Sequence, residues 1–102
     1  MEGISPKLSD IIPVANLIKL EYLNINDALL SDFSQVANLT NLTMLLVNNT
    51  GLKDSDLSYL NGLTKLTGLG LGSNDLSDIR SLSSFANLTH LHLGFNHIMD
   101  IR

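Results

Sequence analysis

The residues best suited to chemistry in this 102-residue chain are two histidines, His90 and His92, which are separated by one leucine. On an extended strand such residues point to the same face about 6.5 to 7 Å apart, a spacing at which two imidazoles can share a metal ion. No third ligand is evident, because His97 lies beyond the next turn and Asp75 or Asn74 would need a favourable geometry. We therefore predict no metal site and no cofactor, and interpret the pair as surface groups available for polar contacts or pH sensitivity.

Catalytic motifs are missing from the sequence. It has no nucleophile elbow, no phosphate-binding loop and no histidine pair flanking a glutamate. The absence of cysteine excludes thiol nucleophiles, disulfides and thiolate metal sites. Ten acidic residues against six basic ones give a formal charge of -4, which argues against nucleic acid or an anionic membrane as the main partner. No apolar run approaches the roughly 20 residues of a membrane span, so we predict neither an enzyme nor a membrane-inserted chain.

An internal repeat reveals the elements that position these residues. Apolar residues recur with the same spacing in four units from about residue 8 to residue 98, and a fifth unit begins at 98–102. The step is 22 residues, except in the third unit, where it is 24. Within a unit the apolar spacing changes from three, as in Val14, Leu17 and Leu20, to two, as in Leu23 and Ile25.

These two spacings predict two kinds of local structure. A spacing of three is typical of a 3₁₀ or irregular turn, and a spacing of two is typical of a short strand with one buried face. One short strand cannot bury a face alone, whereas stacked parallel strands can. The units are therefore predicted to form a solenoid in which each coil contacts its neighbours, in one domain over 1–102.

Two consecutive units match the leucine-rich repeat pattern at every position: Leu66-x-x-Leu69-x-Leu71-x-x-Asn74-x-Leu76 and Leu88-x-x-Leu91-x-Leu93-x-x-Asn96-x-Ile98. With its 22-residue step, the chain resembles the internalin-type class of short leucine-rich repeats. The resemblance implies an α/β solenoid, a right-handed superhelix with short parallel strands on the concave face and 3₁₀ or irregular turns on the convex face. It also implies protein recognition as the usual task, and an extracellular or cell-surface location if the parent protein is internalin-like. A cytoplasmic location is the alternative.

Two kinds of polar residue recur at fixed places in the repeat. Asn74 and Asn96 lie where the chain leaves a strand, and a buried amide there can bond to the backbone of neighbouring coils. A recurring aspartate opens each turn segment, where its carboxylate is expected to accept hydrogen bonds from free backbone N–H groups. These aspartates are Asp10, Asp32, Asp56, Asp78 and Asp100.

The residues between the core leucines of each strand are predicted to point outward and to form one continuous surface. The candidate partner-binding residues are therefore those at outward positions of the strands and at the strand exits: Tyr22, Asn24, Met44, Leu46, Gly68, Gly70, Gly72, His90, His92 and Phe95. They are aromatic, apolar or polar rather than charged, which is typical of a recognition surface. We therefore expect a non-enzymatic module that binds a protein or peptide through the concave face.

Three outward glycines, Gly68, Gly70 and Gly72, are the least expected feature of this surface, because glycine weakens a strand and adds nothing to cross-strand packing. One interpretation is a trough between the side chains of the second and fourth strands, into which a partner can approach closely. The alternatives are positions without constraint and a purely structural requirement.

The two ends of the chain lack an evident cap for the solenoid. Only residues 1–7 precede the first unit, and the fifth unit stops at Arg102. An uncapped coil exposes the apolar face that its neighbour would cover. A repeat scaffold that self-associates into a homo-oligomer through its terminal repeats, as a fragment of a longer array, is therefore the alternative function.

Overall fold

The computed structural model of the chain describes residues 18–30 and 33–96. Over these ranges four short strands form one parallel sheet in the order β1-β2-β3-β4. The strands are β1 (Tyr22–Asn24), β2 (Met44–Leu46), β3 (Gly68–Gly70) and β4 (His90–His92). Three 3₁₀ helices alternate with them, at Ser34–Asn38, Asp54–Leu60 and Arg80–Ser84. The predicted solenoid of parallel strands and 3₁₀ turns is confirmed.

The middle residues of β1, β2 and β3 lie in the core. Leu23, Leu45, Leu69 and Leu91 are partners across the sheet. The first three are buried, whereas Leu91 is 43% exposed. Leucines of the 3₁₀ helices, such as Leu57, pack into the same core. The core therefore lies between the sheet and the 3₁₀ helices.

The two extra residues of the third unit are absorbed on the helical side of the solenoid. The 3₁₀ helix Asp54–Leu60 has seven residues, whereas Ser34–Asn38 and Arg80–Ser84 have five each. The strands on either side of the insertion keep their register, with Leu45 opposite Leu69. The longer repeat step therefore leaves the sheet unbroken.

Asn74 joins two coils through five hydrogen bonds to the backbone. Its Oδ1 atom accepts from the N–H groups of residues 50–52 in the preceding coil, at 2.9 to 3.2 Å. Its Nδ2 atom donates to the carbonyl oxygens of Val47 at 3.0 Å and Leu71 at 3.1 Å. Asn96 repeats the arrangement one coil later and accepts from the N–H group of Asn74. The predicted role of these amides is confirmed.

The aspartates in the described turns accept backbone hydrogen bonds, as expected. Asp56 accepts from the N–H group of Lys53, and Asp78 accepts from that of Arg80, each at 3.1 Å. Asp54, which the sequence did not single out, accepts from the N–H groups of residues 77 and 78 in the next coil. The other three predicted aspartates, Asp10, Asp32 and Asp100, lie outside the described residues, as do the terminal segments 1–17 and 97–102 on which the capping prediction depends.

No helix within 18–30 or 33–96 has the length and apolar character needed to cross a bilayer.

Candidate functional site

The outer face of the sheet, opposite the core, carries the first and third residue of each strand. These residues form two rows of partners across the sheet. One row contains Tyr22, Met44, Gly68 and His90, and the other contains Asn24, Leu46, Gly70 and His92. Gly72 and Phe95 follow β3 and β4. The structure thus brings the eight strand residues to one side of the sheet, with Gly72 against the ring of His92, and places Phe95 in the turn after β4. The role of all ten residues in binding stays a prediction.

The glycines of β3 are buried. Use of a trough between the second and fourth strands by a partner stays a prediction. A Cβ atom built on Gly68 would collide with the Sδ atom of Met44, whose side chain lies across β3. A Cβ atom on Gly70 would lie 2.8 Å from Nδ2 of Asn48 and 2.9 Å from Cδ2 of Leu46. Side chains of the neighbouring strand therefore fill the space that the missing Cβ atoms leave.

The imidazole ring of His92 likewise lies close to the backbone of two further glycines, Gly72 and Gly94. A Cβ atom on Gly72 would lie 2.5 Å from the imidazole ring of His92, and one on Gly94 would lie 3.2 Å from its Cε1 atom. The ring therefore lies against backbone that only glycine can provide at that distance. The glycines have a structural part in the surface, because they allow Met44 and Leu46 to lie against β3 and the ring of His92 to lie against the segment that follows it.

A shallow cavity of about 490 Å³ remains above β3. Met44 and Leu46 line it from β2, and His90 and His92 line it from β4. The strands that carry the two walls, β2 and β4, are about 10 Å apart, since each strand spacing is about 4.8 Å. A mostly apolar wall thus faces an imidazole wall across β3.

Replacing Gly70 by alanine tests the packing of these side chains. We expect Gly70→Ala to lower the free energy of unfolding by about 1 kcal/mol, because the new methyl group displaces Leu46 and Asn48. Gly62→Ala is the matched control, since its Cβ atom would meet nothing within 4 Å. That control is expected to be neutral or to stabilise by about 0.5 kcal/mol. Urea denaturation of both variants measures the difference, and equal stabilisation would contradict the packing described.

A second asparagine ladder runs along the outer edge of the sheet, and sequence reasoning missed its role. Asn26 Oδ1 accepts from the backbone N–H group of Asn48 at 2.8 Å and from its Nδ2 atom at 3.0 Å. Asn48 Oδ1 in turn accepts from the N–H group of Gly72. The recurrence of asparagine two residues after a strand was the available signal. The ladder holds the strand exits beside the cavity in place.

Phe95 lies in a turn with an unusual backbone conformation. Its φ is 61°, and the equivalent residues of the preceding coils, Asp27, Asn49 and Ser73, also have positive φ. Asparagine and aspartate tolerate this left-handed region, whereas a bulky side chain adopts it at a cost of about 1 kcal/mol or more. The Phe95 ring is nevertheless 87% exposed. The turn therefore displays an aromatic ring to solvent next to the β4 end of the outer face.

The electrostatic features of the described chain lie on the turn side, away from this face. Arg80 donates to both carboxylate oxygens of Asp78, at 3.0 and 2.8 Å. These side-chain hydrogen bonds lower the pKa of Asp78 from 3.8 to about 2. The backbone N–H group of Ser77 lowers the pKa of Asp54. Within the described residues, no group of three or more His, Asp or Glu side chains is placed to hold a metal ion.

The ion pair of Asp78 and Arg80 predicts a dependence of stability on pH. Because the pKa of Asp78 is lowered in the folded state, the pair stabilises the fold above the ordinary value near pH 3.8, and this stabilisation is lost as the pH falls toward about 2. The effect on stability is small, since both side chains are exposed. We expect Arg80→Gln to return the titration midpoint of the Asp78 carboxyl toward its ordinary value in a ¹³C NMR titration. An unchanged midpoint would contradict the pairing.

A family model described as Leucine Rich repeats (2 copies) matches residues 64–102. The chain contains leucine-rich repeats. The match agrees with the parallel sheet, the in-register leucines and the asparagine contacts between coils. Leucine-rich repeats are in general protein-interaction modules, with an extended surface formed by successive coils.

Solved structures place this leucine-rich repeat chain near the internalins. A crystal structure of internalin C2 from Listeria monocytogenes has a TM-score of 0.73 and 40% identity, covering 87% of this chain and 38% of that one. An internalin designated InlF, from the same organism, has a TM-score of 0.69 and 34% identity, covering 88% and 33%. The functional domain of InlJ from Listeria monocytogenes, which includes a cysteine ladder, has a TM-score of 0.59 and 25% identity, covering 84% and 23%.

The leucine-rich repeats described here thus span at most 38% of the length of these neighbours. This chain has no cysteine, so the cysteine ladder of InlJ has no counterpart in it. A search of curated proteins gives no significant match.

Proposed function

We propose that this leucine-rich repeat chain is a non-enzymatic module that binds a protein or peptide partner through the outer face of its sheet. The supporting observation is the contrast between its two sides. The eight outer residues of the four strands include no lysine, arginine, aspartate or glutamate. On the other side, the 3₁₀ helices Asp54–Leu60 and Arg80–Ser84 carry charged residues, whereas Ser34–Asn38 carries none. A sheet surface without formal charge is typical of the centre of a protein interface, where charged residues are depleted.

Exposed aromatic groups lie at both ends of this uncharged surface. Tyr22 on β1 is 56% exposed, and Phe95 follows β4. The distance from β1 to β4 is about 14 Å at a spacing of about 4.8 Å per strand. Aromatic side chains are enriched among residues that dominate binding energies, because they bury a large area at a small cost in conformational entropy. Tyr22 and Phe95 are therefore the exposed aromatic groups that a partner of this surface could bury.

A matched pair of tyrosine substitutions tests the proposed surface. Peptides selected against the chain from a random library displayed on phage supply the ligand. We expect Tyr22→Ser to weaken binding of a selected peptide at least tenfold, because the tyrosine lies on the outer face. Tyr59→Ser is the control, since Tyr59 is also exposed but belongs to the 3₁₀ helix Asp54–Leu60 on the other side of the core.

Isothermal titration calorimetry measures both affinities, and urea denaturation confirms that both variants are folded. The control is expected to bind within twofold of the original chain. Weakening by Tyr59→Ser with no effect of Tyr22→Ser would contradict the proposal and assign binding to the turn side.

A further inference from the structure

The backbone N–H groups two residues after β1, β2 and β3 each donate to an asparagine side chain. Oδ1 of Asn24 accepts from the N–H group of Asn26 at 3.0 Å, and Oδ1 of Asn26 accepts from that of Asn48 at 2.8 Å. Oδ1 of Asn48 accepts from that of Gly72. The equivalent residue after β4 is Gly94. Within residues 18–30 and 33–96 its N–H group makes no hydrogen bond.

The unpaired N–H group of Gly94 follows from the glycine at position 72. The N–H groups of Asn48 and Gly72 both donate to the preceding coil. That of Gly94 is therefore expected to point toward Gly72, which has no side chain to accept it. The carboxamide oxygen that serves the three earlier positions is missing from the fourth.

The side chain of Asn48 has an unused acceptor position beside the same gap. Oδ1 of Asn26 accepts two hydrogen bonds, from the backbone nitrogen and from Nδ2 of Asn48. Oδ1 of Asn48 accepts one within the described chain, from the N–H group of Gly72. A carboxamide oxygen has two lone pairs. An available acceptor on Asn48 and an available donor on Gly94 therefore lie on either side of Gly72.

We propose that the gap between Asn48 Oδ1 and the N–H group of Gly94 is a subsite for a primary carboxamide of the partner, from a glutamine or asparagine side chain. Its oxygen accepts from Gly94 and its NH₂ group donates to Asn48. The side chain of Asn48 makes the same two contacts one coil earlier, with Gly72 and Asn26. A carboxylate has no proton to donate and would place a second oxygen against Asn48 Oδ1. This inference rests on the proposed function and names one chemical group of its partner.

The imidazole ring of His92 lies over this carboxamide subsite in the unbound chain. A Cβ atom on Gly72 would lie 2.5 Å from its Cδ2 and Nε2 atoms. The His92 side chain is exposed, and within the described residues its ring makes no hydrogen bond. Exposed side chains change rotamer within nanoseconds. The ring therefore covers the subsite without being fixed there, and a partner group that makes two hydrogen bonds displaces it.

Amide hydrogen exchange of the ¹⁵N-labelled chain tests the unpaired donor without any partner. We expect the Gly94 amide to exchange at least tenfold faster than the Gly72 amide, after correction for neighbouring residues. The Thr89 amide is the control, because it belongs to the same coil and donates to the carbonyl oxygen of Thr67 at 2.8 Å. It is expected to exchange at least tenfold more slowly than that of Gly94. Equal protection of Gly94 and Thr89 would overturn the inference.

A carboxamide supplied by the chain itself tests the geometry of the subsite. His92→Ala removes the ring, and Gly72→Asn in that background places an asparagine at the ladder position. We expect this pair of substitutions to slow exchange of the Gly94 amide at least fivefold relative to His92→Ala alone. Gly72→Ala in the same background is the matched control, since it adds the same Cβ atom, 3.1 Å from Asn48 Oδ1, and no carboxamide. Urea denaturation confirms that both variants are folded, and equal protection in both would overturn the inference.

The tightest-binding peptide from the phage selection described above tests the group on the partner. We expect it to contain a glutamine or asparagine whose replacement by glutamate or aspartate weakens binding at least tenfold. Its binding is expected to slow exchange of the Gly94 amide at least tenfold. In the His92→Ala background, adding Gly72→Asn is expected to weaken the peptide at least tenfold, because the chain's own carboxamide then occupies the subsite.

An affinity that survives replacement of every glutamine and asparagine of the peptide would overturn the inference. A loss of affinity in Tyr22→Ser would in that case still support the proposed function, so the two failures are distinguishable.

Discussion

Replacing Asn74 by alanine is expected to lower the free energy of unfolding by about 4 kcal/mol. The substitution removes five hydrogen bonds at once and leaves the N–H groups of residues 50–52 without their acceptor. The carbonyl oxygens of Val47 and Leu71 still accept from Thr50 Oγ1 and Asn96 Nδ2. Each buried polar group left unsatisfied costs about 1 to 3 kcal/mol, and local rearrangement recovers part of that total. A loss of this size approaches the whole stability of a small domain. Urea denaturation followed by circular dichroism measures it.

Asn61→Ala is the matched control for this prediction. Asn61 is exposed and follows the last residue of the 3₁₀ helix Asp54–Leu60, and its backbone lies in the right-handed helical region that alanine adopts readily. We expect a change of no more than about 0.5 kcal/mol, as is usual for surface positions. A similar loss for both variants would mean that the contacts of Asn74 between coils do not stabilise the stack.

Two adjacent leucines of β2 give the second large effect. Leu45 is fully buried in the core, whereas Leu46 is half-buried on the outer face. We expect Leu45→Ala to lower the free energy of unfolding by about 3 kcal/mol, because it removes buried methyl groups and leaves a cavity. Leu46→Ala is expected to cost about 1 kcal/mol or less, because its side chain faces solvent and the cavity above β3.

The same two variants are expected to differ in binding as well. Leu46→Ala is expected to weaken the binding of a peptide selected against the chain several-fold. Leu45→Ala is expected to bind that peptide with unchanged affinity at a temperature well below its unfolding transition, where it is folded. The measurements are urea denaturation and isothermal titration calorimetry. If Leu46→Ala lost more stability than Leu45→Ala, Leu46 rather than Leu45 would face the core, which would contradict the account.

The leucine spacing was sufficient to predict the sheet and its register. Leu23, Leu45 and Leu69 occupy the same place in successive repeat units, and a fixed step brings equivalent residues side by side in a parallel stack. Alternation along a strand then places their neighbours on the opposite face. The two-residue insertion in the third unit also had a predictable consequence, since added length is accommodated more easily in a 3₁₀ turn than in a three-residue strand.

The details of the candidate surface depended on information that spacing does not contain. The sequence predicts that Gly68 faces outward, but whether its surface is open depends on the conformation of Met44 in the next strand. The positive φ of Phe95 follows more readily from the sequence. Aligning the repeats places Phe95 with Asp27 and Asn49, and aspartate and asparagine favour the left-handed region.

The central claim, that partners bind the outer face of the sheet, is tested most directly by mapping amide chemical shifts of the ¹⁵N-labelled chain with a peptide selected against it. The account predicts that the largest changes fall on Gly68, Gly70, His90 and His92 and on the turn that contains Phe95. Changes confined to the 3₁₀ helices on the other side of the core, with these amides unaffected, would contradict it.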